Sequence, residues 1–177
     1  MAWIDHLVER GNDVIYPRYE RFPAGDPALL HSLIGIHAGL VRLGRPHLPI
    51  VLVGYSRGGR LAVEVASVMW RIRVEPAAVM SVFPSNLNPK VEEVVNFTHL
   101  PHSTRLLLVA GDKDSPAGVR ELLRRLERSN FPPERIRVAV IHSRGKFRAD
   151  HFSALQWGPE VRRQFWLPLD RLIASVR

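Results

Sequence analysis

Leu48-Pro-Ile-Val-Leu-Val-Gly-Tyr-Ser-Arg-Gly-Gly-Arg60 decides how this chain is read. The apolar, β-branched run 50–53 stops at Gly54-Tyr55-Ser56-Arg57-Gly58. Leu61, Ala62, Val65, Ala66 and Met69 then recur at three- and four-residue steps, the period of a helix with one buried face. The pattern is strand, one sharp turn, helix. Gly-x-Ser-x-Gly in that setting forms a nucleophile elbow. The serine sits at the tip of the turn, and the residues two positions either side of it come close together. Both must lack bulk, and Gly54 and Gly58 meet that demand. The turn lifts Ser56 Oγ above the strand end and aims the helix N-terminus at it. The partial positive charge there, with the Arg57 N–H, suits a developing oxyanion. A phosphate-binding glycine turn is the rival. This stretch lacks the middle glycine of a dinucleotide turn and the Gly-Lys-Ser/Thr of a P-loop. Glu75 falls before the next strand, not at its end where a ribose-binding acid belongs.

With 177 residues, 46% of them hydrophobic, the chain has the length of one domain and the means to bury a core. It holds no cysteine, so neither a disulfide framework nor thiol chemistry is available. No apolar run approaches the length of a membrane span, and Met1-Ala-Trp-Ile-Asp-His6 has no basic-then-apolar leader pattern. A cytoplasmic protein is the default expectation. The net charge of +8 raises nucleic-acid binding. The arginines are scattered, however, and the small cluster Arg120, Arg124, Arg125 and Arg128 has the spacing of one solvated helix face, balanced in part by Glu121 and Glu127. No nucleic-acid partner is expected. His99 and His102 are three residues apart, but no cysteine or acid lies near them to complete a metal site, and none is expected.

Residues 77–83 and 105–111 are further apolar runs of strand length, and Ile136-Arg-Val-Ala-Val-Ile141 reads as the last strand, with helical patterns between them. Strand alternating with helix predicts a mostly parallel sheet covered on both faces. Residues 3–9 read as a helix with Ile4, Leu7 and Val8 inward and Gly11 as its stop. Residues 13–16 read as a short strand closed by Pro17. Asp26 and Pro27 read as the start of a helix whose inner face is Leu29, Leu30, Leu33, Ile34, His37, Leu40 and Val41. A short helical stretch is expected near 91–95. In parallel sheets chemistry gathers at the C-terminal strand ends. Ser56, Asp112, Asp114, His142 and His151 all fall there. A serine nucleophile needs a base to take its proton and an acid to orient that base. The spacing alone leaves two acids and two histidines open for these roles.

Gly54-Tyr-Ser-Arg-Gly-Gly59, Gly111-Asp-Lys-Asp114 and Asp150-His-Phe152 resemble the serine hydrolases of the α/β-hydrolase fold, and the order nucleophile, acid, histidine matches as well. The resemblance implies a three-layer α/β/α domain spanning 1–177. It implies Ser56 as nucleophile, Asp114 as acid, His151 as base and the Arg57 N–H as oxyanion donor. Tyr55, Pro84 and Leu87 would line an acyl pocket. The reaction implied is hydrolysis of a small-molecule carboxylic ester, or thioester, through an acyl-serine intermediate, with no cofactor. Residues 85–103 stand where the family inserts its cap and are long enough for a flap only. The chain enters the family pattern late, at "helix, Arg10-Gly11, strand, Pro17-x-Tyr19". Three strands and the loop that supplies a second oxyanion donor are then missing, so the domain is expected to be N-terminally incomplete. Strand 13–16 would have to pair with 50–53 or keep unpaired backbone groups. A catalytically impaired remnant serving as a binding module is the reading from another class.

Overall fold

The computed structural model describes residues 2–19, 27–44, 48–89 and 94–177. The expected N-cap Asp26 and most of the expected helix near 91–95 lie outside the described residues. Among the described residues four strands form one sheet: β1 (Ile50–Tyr55), β2 (Pro76–Val82), β3 (Arg105–Gly111) and β4 (Ile136–Ile141). Their spatial order is the chain order, and every pairing is parallel. The helices are α1 (Ala2–Glu9), α2 (Ala28–Arg42), α3 (Arg57–Val68), α4 (Ala117–Arg128), α5 (Pro159–Val161) and α6 (Leu167–Ala174). A π-helical turn, Arg162–Trp166, joins the last two.

The unbroken apolar runs explain the layers. A strand covered on both faces has no polar face to show. In β3, Leu106 and Leu108 point to the α3 and α4 side, where they meet Val63, Leu122 and Leu126. Leu107 and Val109 point the other way, to Leu7 of α1, Phe165 and Leu169 of α6. At about 1.5–3 kcal/mol per fully buried side chain, these four residues alone anchor both helix layers. A third cluster joins α2 to α3 through Leu33, Ile36, Leu61 and Val65. The chain thus has a three-layer α/β/α layout, a parallel sheet between helical layers.

Several local expectations are corrected. Residues 13–16 form no strand. Val14 nevertheless packs into the α1/α6 cluster and Ile15 into the α2/α3 cluster, so neighbouring side chains still point to opposite faces. The segment runs as a strand would, but among the described residues it has no ladder partner and β1 is an outer strand of the sheet. Val53 of β1 is 37% exposed as a result. In α2 the buried stripe is Leu29, Leu33, Ile36 and Leu40, whereas Leu30, Ile34 and Val41, expected inward, face out. The two stripes are adjacent at helical spacing, and the period does not choose between them. In α1, Val8 is exposed, and His6 is buried in its place. His6 Nε2 lies 3.0 Å from Asp170 Oδ1, and its ring stacks on Trp166.

The expected solvated arginine face of α4 is also corrected at Arg125. Its guanidinium places Nη1 and Nη2 each 3.0 Å from Glu64 Oε1. Nη2 also donates to the Val95 carbonyl, and the group lies over the Phe97 ring. Arg60 Nη1 donates to the other oxygen, Glu64 Oε2, at 2.7 Å. Glu64 and Arg60 are 2% and 3% exposed, so this cluster sits in the core between α3 and α4. Burial holds the Glu64 carboxyl above its ordinary range, against the opposing pull of the Arg60 and Arg125 guanidinium groups. The second half of the expected flap belongs here too: Phe97 and Leu100 are buried in the same layer and cover the sheet.

Removing one partner of a buried ion cluster strands the others, at a cost of about 3–5 kcal/mol. Glu64→Gln is expected to lower stability by about that much in urea unfolding, whereas Glu121→Gln, at the edge of the cluster, costs less than about 1 kcal/mol.

Candidate active site

The turn after β1 is one residue long. Ser56 has φ 57° and ψ −122°, a backbone region that residues with a side chain seldom occupy. It is held there from the β2 side. Ser56 N–H donates to the Val82 carbonyl at 2.9 Å, and the Ser56 carbonyl accepts from Ser85 N at 3.1 Å. Gly59 N and Arg60 N also donate to that carbonyl as α3 begins. Ser81 Oγ ties the Gly59 carbonyl back to β2 at 2.8 Å.

The demand for small residues is not symmetric about Ser56. A Cβ on Gly54 would run into the carbonyl of Gly58, which is backbone and cannot give way. A Cβ on Gly59 would lie 2.9 Å from the Val82 carbonyl oxygen. At Gly58 the nearest atom would be the Tyr19 hydroxyl at 3.3 Å, the far end of a side chain. The second strict glycine is therefore Gly59, where the motif pointed to Gly58.

Three of the expected site residues meet. His151 Nε2 is 2.9 Å from Ser56 Oγ. His151 Nδ1 is 3.2 Å and 3.3 Å from the two oxygens of Asp114. With Nδ1 protonated, the ring donates to Asp114 and presents its Nε2 lone pair to the serine hydroxyl. Ser56 follows β1, Asp114 lies three residues past β3, and His151 opens a 3₁₀ turn (His151–Leu155) beyond β4. That turn is started by Asp150, whose side chain accepts from Phe152 N. Asp114 is 13% exposed and His151 34%, so the acid is sheltered and the ring edge is open. Arg57 is the first residue of α3, next to Ser56.

Asp112 and His142 lie elsewhere. Asp112 accepts from Ser143 N at 3.0 Å and from Ser143 Oγ at 2.6 Å, and Ser143 Oγ accepts in turn from Ala149 N. These bonds brace the loop after β4. The Ser143 hydroxyl first, then its N–H, hold the Asp112 carboxyl below its ordinary range. His142 is outside the brace, with Nδ1 3.8 Å from Asp112. His99 packs against Trp70 and His102 against Phe131, two separate aromatic contacts.

Of the expected pocket residues, Tyr55 stands against the histidine, with ring centroids 5.1 Å apart. Pro84 is buried, and its carbonyl abuts Gly118 of α4. Leu87 is half-buried, and its N–H donates to Glu121 at 3.0 Å. Sequence reasoning missed Phe83. It is 1% exposed, has φ 47° and lies 6.2 Å from the His151 ring. Nothing in the apolar run 77–83 marks its last residue for a left-handed backbone.

No protein-family profile matches the chain in sequence, and no curated protein does. Solved structures match it in fold. It is similar to carboxyl esterase 2 from the mycorrhizal fungus Tuber melanosporum, with a TM-score of 0.68, 17% identity, and coverage of 99% of this chain and 72% of that one. An alpha/beta hydrolase enzyme from a Medee basin deep-sea metagenome library gives 0.59 at 17% identity, covering 90% and 67%. An esterase of Pyrococcus furiosus gives 0.58 at 16%, covering 86% and 62%. The chain has the α/β-hydrolase fold and spans about two thirds of the length of these neighbours.

Two outcomes are expected. Gly54→Ala pushes a methyl group into backbone and costs more than about 3 kcal/mol, whereas Gly58→Ala, on a helix, stays within about 1 kcal/mol, both read from thermal melts. Asp112 has a lowered carboxyl pKa, so its bonds are present above the ordinary value of 3.8 and are lost as the pH falls below it. Hydrogen exchange at the Ser143 and Ala149 amides should therefore accelerate in Asp112→Asn at neutral pH, and in the unaltered chain only in acid.

Proposed function

We propose that this chain is a serine hydrolase of carboxylic esters acting through an acyl-serine intermediate. The observation that carries the reading is the hydrogen-bonded run Asp114–His151–Ser56 at the C-terminal ends of three parallel strands, with Ser56 on a strained turn. The esterases and hydrolases among the structural neighbours support the reaction class.

In this reading Ser56 Oγ attacks the ester carbonyl carbon as His151 Nε2 takes its proton. The imidazolium so formed keeps its Nδ1–H on Asp114, which holds the ring in place and stabilises its charge. The oxyanion of the tetrahedral intermediate meets the N-terminus of α3 at the Arg57 N–H. Nε2 then gives its proton to the departing alcohol oxygen. Water repeats the sequence on the acyl-serine: Nε2 takes a proton from the water, the acid leaves, and Oγ recovers its proton. No cofactor enters. The Tyr55 ring and half-buried Leu87 offer apolar wall to an acyl chain, whereas Pro84, buried against α4, supports the wall from behind.

Under this reading a fluorophosphonate labels Ser56, and Ser56→Ala abolishes labelling. Ser56→Ala, His151→Ala and Asp114→Ala each lower kcat on a short-chain nitrophenyl ester by about 10³-fold or more, and combining them adds little, because the residues act as a unit. Labelling of another serine, unchanged in Ser56→Ala, overturns the assignment. A folded chain that binds esters without turning them over favours the binding-module reading.

A further inference from the structure

The sequence places Tyr55 in the acyl pocket. The structure gives it a second contact: its phenol Oη donates to the main-chain carbonyl of His151 at 2.8 Å. Tyr55 is the last residue of β1 and is bonded directly to Ser56. One side chain therefore runs from the residue beside the serine to the backbone that carries the histidine. We propose that Tyr55 is a positioning residue, which sets the distance between Ser56 Oγ and His151 Nε2 by tying the 3₁₀ turn His151–Leu155 to the end of β1. The proposal deepens the serine-hydrolase reading and rests on it for its meaning.

Three observations carry it. First, the Tyr55 bond joins the histidine turn to β1 by a hydrogen bond, whereas Trp3 Nε1 holds the same turn to α1 at the Ala154 carbonyl, 3.0 Å away. Asp150 caps that turn from within, through Phe152 N, Ser153 N and Ser153 Oγ, so these bonds give it shape but no fixed place on the sheet. Lys113 N donates to the Ala149 carbonyl and the Ser143 hydroxyl accepts from Ala149 N, which fixes the approach of the loop from β3 and β4. The Tyr55 bond supplies the tie from the serine's own strand. Second, the histidine ring is walled by aromatic groups on several sides. The Tyr55 ring is tilted 41° to it at 5.1 Å, Phe83 lies at 6.2 Å, and Phe152 is edge-on at 5.8 Å. Packing limits its tilt, while the Tyr55 hydroxyl fixes its height above the strand ends. Third, the phenol stays a donor. Burial, then the nearby Asp114 and Asp150 carboxylates, raise it above its ordinary pKa of 10.0, so it keeps its proton throughout the range in which a serine hydrolase works.

The geometry has a chemical consequence. Proton transfer between Oγ and Nε2 depends steeply on their separation and alignment, and a small misplacement lowers rate without weakening the binding of substrate. A residue that only lines a pocket behaves in the opposite way, changing KM and the preferred acyl length.

Tyr55→Phe separates these roles, because it removes the hydroxyl and leaves the ring. The first readout needs no turnover. The Nδ1 proton shared by His151 and Asp114 gives a downfield proton resonance, assigned by its absence in His151→Ala. In Tyr55→Phe that resonance should broaden or vanish while the melting temperature holds. The second readout is kinetic, taken per site titrated with a fluorophosphonate so that unfolded protein is not counted. On nitrophenyl acetate, butyrate and octanoate, kcat should fall by about tenfold while KM stays within about twofold for every ester. An unchanged downfield resonance with unchanged kcat overturns the proposal. So does a change confined to KM and chain length, which would make Tyr55 a pocket wall only. If the wild-type chain neither reacts with the fluorophosphonate nor hydrolyses any ester, the hydrolase reading falls, and the resonance still decides whether Tyr55 holds His151.

Discussion

The structure depends on one close approach, the passage of Gly54 beneath the carbonyl of Gly58. With any side chain at 54, α3 would have to lift away from β1. The left-handed turn at Ser56 would then lose its support from Val82 and Ser85. Three separate things follow from that single contact. The helix starts immediately beneath the serine, so its N-terminal dipole is aimed at Oγ. The serine hydroxyl rises clear of the strand ends, where His151 can reach it. And α3 lies close enough to the sheet to bury ten of its twelve residues.

That tight burial explains the Glu64 cluster. A helix covered on almost every side has no solvated face for charge, yet α3 carries Arg60 and Glu64 one turn apart. Both are kept because Arg125 reaches across from α4 and completes the second carboxylate oxygen. From there the contacts run on through Glu121 to the N–H of Leu87, in the segment that leaves β2 beside the site. An arginine that counts as solvent-facing by helical spacing is thus a core residue tying two helices and the loop after β2. Spacing on one helix says which residues share a face. It does not say whether a buried acid on another helix awaits one of them.

This marks how far the sequence could be read. The parallel strands were legible because β1, β2 and β3 are apolar runs with turn residues at their ends; β4, broken by Arg137 and exposed at Val138 and Val140, was legible as the last β-branched run of strand length. The strand-end positions of Ser56, Asp114 and His151 followed from the same runs. Choosing Asp114 over Asp112 and His151 over His142 did not. Spacing left both pairs open, and only resemblance separated them. The structure shows a physical difference: Asp112 is occupied by Ser143, and Asp114 is left to meet the histidine. The strand expected at 13–16 failed for a different reason. Alternation of apolar side chains reports where side chains point, and Val14 and Ile15 do point to opposite faces. A strand needs a bonded neighbour as well, and local pattern carries no information about that.

The open edge of β1 and the assembled site stand in an instructive relation. Val82, Ser85 and Ser81, from the β2 side, hold the Ser56 turn and the start of α3. Asp114 is carried by β3, and His151 by the chain beyond β4. None of these supports crosses the outer edge of β1. The geometry of Ser56, Asp114 and His151 thus draws on β2, β3 and the chain beyond β4, with Tyr55 as the contribution of β1, and it coexists with an exposed Val53. Tyr19, packed in the α2/α3 cluster, brings its hydroxyl near Gly58 at the start of α3, where an oxyanion would form in the proposed reaction. In the proposed reaction, proton transfer would draw on β2, β3 and the chain beyond β4, and charge stabilisation on the start of α3.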